Sequence, residues 1–187
     1  MIFNIILLLL NMSSSIIDHN EKFYENENGV YFKSGYLSQW YGYNTNENVS
    51  FIIEDTVYNC CEKYMMLQKA NYFNDKEIAN LIINTNDPKE HKKLGRLVKN
   101  FDKKKWDNIA DFIVYKANYA KFSQNQHLKN KLLNTGNKII VECSPYDTIW
   151  GNGLNITDTL NTPQNEWKGT NRLGNILMRV RENLRTT

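Results

Sequence analysis

Three short stretches of the 187-residue chain carry side chains whose types and spacing could do chemistry. The first begins at Asn59-Cys-Cys-Glu62, where the period turns helical. Seven residues at about 100° each return to within about 20° of the starting direction, so Glu62 and Lys69 share one face two turns apart, with Met66 and Phe73 on the same stripe. A carboxyl and an amine on a mostly apolar stripe tune each other. Burial raises the pKa of the carboxyl and a neighbouring ammonium lowers it, so Glu62 could serve as an acid or a base near neutrality. Asn59 and Glu62 also fill the N-cap and N3 places of a capping box, in which Glu62 would only help start a helix, a contribution of about 1 kcal/mol. The second stretch is Ser144-Pro-Tyr-Asp-Thr-Ile-Trp-Gly-Asn-Gly153, with Asp147, Trp150 and Gly151 close together. A carboxylate beside an aromatic plane suits a ligand with one flat part and one developing cation. The same residues also make a glycine-rich turn in which Asp147 caps backbone and Trp150 fills the core. The third is Trp167-Lys-Gly-Thr-Asn-Arg-Leu-Gly174, where N–H groups at a helix start, near Lys168 and Arg172, could hold a phosphate. Its plainer reading is a capped helix with solvated cations, Thr170 or Asn171 being the cap.

Other chemistries find no support. His19, His91 and His127 lack metal-site spacing, and the cysteines Cys60, Cys61 and Cys143 form no C-x-x-C pair, so no metal and no cofactor is expected. Neither a P-loop, a dinucleotide-binding G-x-G-x-x-G nor a G-x-S-x-G elbow occurs. Formal charge is +3, from 23 basic and 20 acidic residues, which argues against a long nucleic-acid footprint and leaves any anion site local. Adjacent cysteines in odd number suit a reduced, cytoplasmic protein, or a host cytoplasm if the gene belongs to an AT-rich virus or parasite.

The elements that must position these residues follow from the pattern. Length and a 41% apolar composition allow one domain with a full core. Met1 to Leu10 is an apolar run half the length of a membrane span and without basic residues before it, so neither membrane insertion nor secretion is expected. Residues 1–22 are set aside as an N-terminal extension, disordered or upstream of the true start, and 23–187 as the domain. Strands are expected at Phe23-Tyr24, at Val30 to Phe32, at Tyr36 to Trp40, and in a hairpin over Val49–Tyr58 turning near Glu54-Asp55. Helices follow: from Glu62 to about Phe73, after Asp75, from Pro88, from Lys103 to Phe122 with Trp106 on its apolar stripe, and around Leu128 to Gly136. A strand over Lys138–Cys143, a loop over 144–170 without periodicity, and a last helix through Leu173, Ile176, Leu177, Val180 and Leu184 complete the chain. Strands first and helices after give an α+β fold, and so long a loop in a small domain is usually functional.

Taken together, ordered blocks resemble the NADAR (YbiA-like) family of N-glycosidases from Phe23 to Leu184. They are Phe23-Tyr24, Leu37-Ser38, Tyr58 to Ala70, Gly95-Arg96, Asn100-Phe101-Asp102 with Trp106, Asn118 with Lys121-Phe122, Glu142 to Gly153, and Trp167 to Gly174. Departures are Gln39-Trp40 for the usual Asn-Phe, Lys63 for Gln or His, and Cys143 for a small residue. The resemblance implies a YbiA-like single domain, with small N-terminal antiparallel strands packed on a helical core. It implies hydrolysis of the bond between ribose C1′ and a base nitrogen in phosphoribosylamino-pyrimidine intermediates of riboflavin biosynthesis, releasing ribose 5-phosphate. Alternatives are hydrolysis of ADP-ribosylated guanine, the one case bringing in nucleic acid, and a module that only binds ADP-ribose or a nucleotide. Carried onto this chain, the family's functional residues are Glu62, Trp106 and Asp147. An oxocarbenium-like sugar needs one carboxylate to stabilise charge or activate water and another group to protonate the leaving nitrogen. Glu62 and Asp147 can divide those tasks either way, Trp106 can stack on the base, and Trp150, Gly151, Lys168, Asn171 and Arg172 would bind substrate. Lys69 allows a second route, through a Schiff base with the opened sugar. Oligomeric state is not readable.

Overall fold

The structure is a computed structural model that describes residues 22–186 except 44 and 48. The apolar run of residues 1–10 lies outside the described residues. The first hairpin forms because Asn26 Oδ1 accepts from the N–H groups of Asn28 and Gly29, a local turn that returns β1 (Phe23–Glu25) onto β2 (Gly29–Phe32). These two pair antiparallel with Phe23 opposite Phe32. On its other side β2 pairs parallel with β5 (Ile139–Glu142), Gly29 opposite Ile139 and Phe32 opposite Glu142. A parallel partner needs a long crossover, which here is the helical body between the two strands. All of β2 is buried because both faces of the sheet are covered. Val30, Phe32 and Ile140 face the helical core, whereas Tyr31, Val141 and Cys143 pack with Ile156 in a smaller cluster behind.

A second hairpin joins β3 (Phe51–Ile53) to β4 (Thr56–Tyr58) through Glu54 and Asp55, both left-handed (φ 51° and 61°), the conformation a two-residue turn requires. Helix α1 (Cys61–Tyr72) follows, and eight of its residues are buried because other helices enclose it. Helices α2 (Lys76–Ile83), α3 (Pro88–Arg96) and α4 (Lys103–Gln124) each start at an aspartate, Asp75, Asp87 and Asp102, whose side chain accepts a first-turn N–H. The other oxygen of Asp75 accepts from Lys99 N–H and so anchors the chain leaving α3. Helix α5 (Gln126–Asn134) ends before Gly136, left-handed at φ 59°. After β5 come α6 (Ile156–Asn161) and α7 (Arg172–Arg185). No helix among the described residues is long and apolar enough to cross a membrane.

The α+β class holds, with the sheet mixed rather than wholly antiparallel. Two expectations for the elements fail. The stretch from Tyr36 to Trp40 is a series of turns, not a strand, because Gly35 is left-handed (φ 91°), Ser38 N–H returns to its carbonyl, and Ser38 Oγ takes Trp40 N–H. The loop over 144–170 contains α6, whose six residues are too few to show a period, capped by Asn155.

Candidate active site

Glu62 stands in the first turn of α1, but not in a capping box. The N-cap is Cys60, with extended backbone and no side-chain cap. Asn59 turns its amide to the carbonyl of Asn86, and Glu62 N–H goes to the carbonyl of Gln39. Freed from capping, the Glu62 side chain lines a cavity of about 1130 Å3 whose walls come from the turns after β2, from α1, α3 and the start of α4, and from the end of β5 with the loop beyond it. Burial pushes its carboxyl up to about 7, against the pull of Lys92, a hydrogen bond from Trp40 and Arg96, while Asp147 adds to the rise.

Asp147 meets Glu62 across that cavity, some 85 positions along the chain. Its Oδ1 accepts from the N–H groups of Ile149 and Trp150, at 3.0 and 2.8 Å. Turn-making and site-lining thus coexist in one side chain: one oxygen fixes the loop and the group as a whole borders the cavity. Lys69 lies on the same wall as Glu62, as the helical period requires. Its ammonium donates to the Gly95 carbonyl at 2.7 Å and sits 4.0 Å from the centre of the Phe101 ring and 6.0 Å from that of Trp106. Burial and Arg96 lower its pKa while Glu62 opposes them. Trp106, mostly buried, supplies an indole to the wall. Helix α3 lies close on α1 because Gly95 has no Cβ, which would collide with Met66 Sδ, and this brings Lys92 and Arg96 to the cavity.

The residues expected to bind substrate divide. Trp150 and Arg172 line the cavity. The Arg172 guanidinium is already engaged, donating to Asp111 at 2.8 Å and Asp107 at 3.3 Å and lying 4.8 Å over the Trp150 ring. Gly151, Lys168 and Asn171 are not among the lining residues. Gly151 accepts Asn171 N–H on its carbonyl, and Lys168 is exposed beside Gly153. Asn171 stands at the N-cap of α7 as expected, but it makes no side-chain cap there and spends its side chain on β5, donating to Ile140 and accepting from Glu142 N–H. Lys92 and Arg96, four residues apart on α3, also line the cavity, and neither was singled out as a substrate-binding residue.

Sequence reasoning also passed over Glu142. It ends β5 opposite Phe32 and lines the cavity with its Oε2 buried and unpartnered. Burial pushes its carboxyl up to about 8, with Asp147 and Glu62 adding to the rise and Lys92 opposing it. Four carboxyl groups therefore line one cavity: Asp107 is paired with Lys103 and Arg172, and burial raises Glu62 and Glu142 into the neutral range. The arrangement can donate a proton, stabilise a nearby cation and present a flat indole to an aromatic ligand.

Comparison with known proteins bears on the chain as a whole. The family model described as NADAR domain matches residues 22–185. An N-glycosidase of Acanthamoeba polyphaga mimivirus is 42% identical over 158 residues, which is 84% of this chain and 90% of that protein. The riboflavin biosynthesis protein PYRR of Arabidopsis thaliana is 38% identical over 76 residues, 41% of this chain and only 11% of that protein. The solved structure of the Escherichia coli protein YbiA superposes with a TM-score of 0.67 at 26% identity, covering 87% of this chain and 88% of that one.

Proposed function

We propose, from the premise that the chain belongs to the NADAR domain family and is an N-glycosidase, that it hydrolyses the ribose C1′–N bond of phosphoribosylamino-pyrimidine intermediates of riboflavin biosynthesis and releases ribose 5-phosphate. The observation that carries this reading is the convergence of Glu62 and Asp147, from a helix start and a distant loop, on one cavity walled by Trp106. Glu62, with its carboxyl near 7, is the group that gives a proton to the departing nitrogen. Asp147, fixed through Oδ1, faces the positive charge that grows on the sugar and guides the attacking water. Trp106 stacks against the pyrimidine, a contact worth about 1 kcal/mol beyond its area. Lys92 and Arg96 receive the phosphate. The test is incubation with the phosphoribosylamino-pyrimidine followed by assay of free ribose 5-phosphate, with ADP-ribosylated guanine as the competing substrate. Release of ADP-ribose from the second, with no ribose 5-phosphate from the first, overturns the pyrimidine assignment.

A second route has a specific observation behind it. Lys63, Lys69 and Lys121 all have lowered pKa values, and of these only Lys69 lines the cavity. Attack of its neutral amine on C1′ would break the C1′–N bond and release the base with a proton on its nitrogen, and opening of the sugar ring would give an imine that water hydrolyses to the sugar aldehyde and the free lysine. Borohydride added during turnover separates the routes: a sugar phosphate fixed to Lys69 supports the imine, and an unmodified lysine supports direct attack by water.

A further inference from the structure

Two residues that line the cavity each hold a buried polar atom without a partner in the protein: Gln39 Nε2 and Glu142 Oε2. An unpartnered buried group is costly, so each marks a place where something else supplies the hydrogen bond. The orientation of Gln39 is dictated by its neighbours. Asn118 Nδ2 donates to the Val114 carbonyl one turn back on α4 at 2.9 Å, which fixes which end of that amide is nitrogen. The same nitrogen donates to Gln39 Oε1 at 2.9 Å, so the oxygen of Gln39 must face α4, leaving its NH2 group, on a residue 8% exposed, as the end without a partner. Glu142 is held as firmly. Its N–H donates to Asn171 Oδ1 and its carbonyl accepts from Asn152, both at 2.9 Å, so the end of β5 cannot swing to find another partner. β2 and β5 run parallel with Phe32 beside Glu142, and Gln39 lies on the turns that leave β2, so both walls rise from the same end of the sheet.

We propose that Gln39 and Glu142 form a hydroxyl-binding subsite that reads the ribose 2′,3′-diol, with Gln39 Nε2 donating to one hydroxyl and Glu142 Oε2 accepting from the other. A donor and an acceptor bordering one cavity suit a vicinal diol, whose hydroxyls each give and take a bond. The pair selects ribosyl over 2-deoxyribosyl compounds, because a substrate lacking one hydroxyl leaves a buried polar group unsatisfied. The inference rests on the N-glycosidase reading and specifies the sugar that reading needs.

Binding of ribose 5-phosphate and of 2-deoxyribose 5-phosphate, measured by calorimetry at pH 7, tests it without turnover. Wild type binds the ribose compound about 10- to 100-fold more tightly. Gln39→Glu keeps the oxygen that Asn118 needs and removes the donor, so the preference collapses to within about threefold while the thermal melt shows an intact fold. Glu142→Leu abolishes the preference as well, and Glu142→Gln, which still accepts, retains most of it. Equal affinity of wild type for both sugars, or a preference unchanged in Gln39→Glu and Glu142→Leu, overturns the subsite. Should wild type release ribose 5-phosphate yet show no such preference, the subsite falls and the glycosidase stands. If it neither releases nor binds the sugar, both fall.

Discussion

Replacing Glu62 with glutamine separates a catalytic acid from a helix device through stability as well as rate. Burial carries this carboxyl from 4.5 to about 7, a rise of roughly 2.5 pH units, and at 1.36 kcal/mol per unit that is about 3 kcal/mol. Below pH 4.5 folded and unfolded chains both hold the proton and nothing is lost. As pH climbs, the unfolded chain releases its proton first, and stability declines until, above about 7, the whole 3 kcal/mol is missing. Glutamine does not ionise. The Glu62→Gln variant therefore matches wild type as pH falls toward 4.5 and exceeds it by up to about 3 kcal/mol at pH 8 in urea unfolding. The same variant releases ribose 5-phosphate about 10²- to 10⁴-fold more slowly, and wild-type kcat/KM declines as pH rises through about 7, where the acid loses its proton. A glutamate that merely started the helix would behave differently, since glutamine also serves a capping box. Retained activity, or a stability difference that does not grow between pH 5 and 8, refutes the assignment of Glu62 as a buried acid.

Asp147→Asn preserves the oxygen that Ile149 and Trp150 need, so its melting temperature stays within a few degrees of wild type while turnover drops about 100-fold or more. Lys92→Met removes the leading charge that restrains Glu62, so the descending limb of the kcat/KM profile moves to higher pH, and titration calorimetry shows weaker binding of ribose 5-phosphate. Trp106→Phe keeps a flat ring and raises KM about fivefold, whereas Trp106→Ala empties a core position and costs about 3 to 5 kcal/mol of unfolding free energy.

What the sequence revealed and what it concealed have physical causes. Aspartates at 75, 87 and 102 announced three helix starts because their capping is local chemistry. The face shared by Glu62 and Lys69 was legible from helical geometry alone. The role of Asn59 was not, since its amide reaches Asn86 across the fold, a contact that no local pattern encodes. Glu142, though it opens one of the family blocks, was not legible as a site residue, for a similar reason. A glutamate closing an apolar strand ordinarily meets water, and only the parallel pairing with β2 and the return of Asn171 enclose it. Asn171 was legible as the N-cap of the last helix, but its left-handed backbone (φ 50°) and its grip on β5 were not, since they depend on where the loop comes home.

That homecoming has an evolutionary corollary. Between β5 and α7 the chain leaves and returns to nearly the same place. Asn152 N–H meets the Glu142 carbonyl, Gly169 N–H meets Asn152, and Asn171 clasps Ile140 and Glu142. The excursion is cinched at its neck, with Asp147 on the neck and the exposed residues around 160–166 at the far end. Extra residues spliced into the far end would hang from a knot already tied, leaving the Asp147 carboxylate in register.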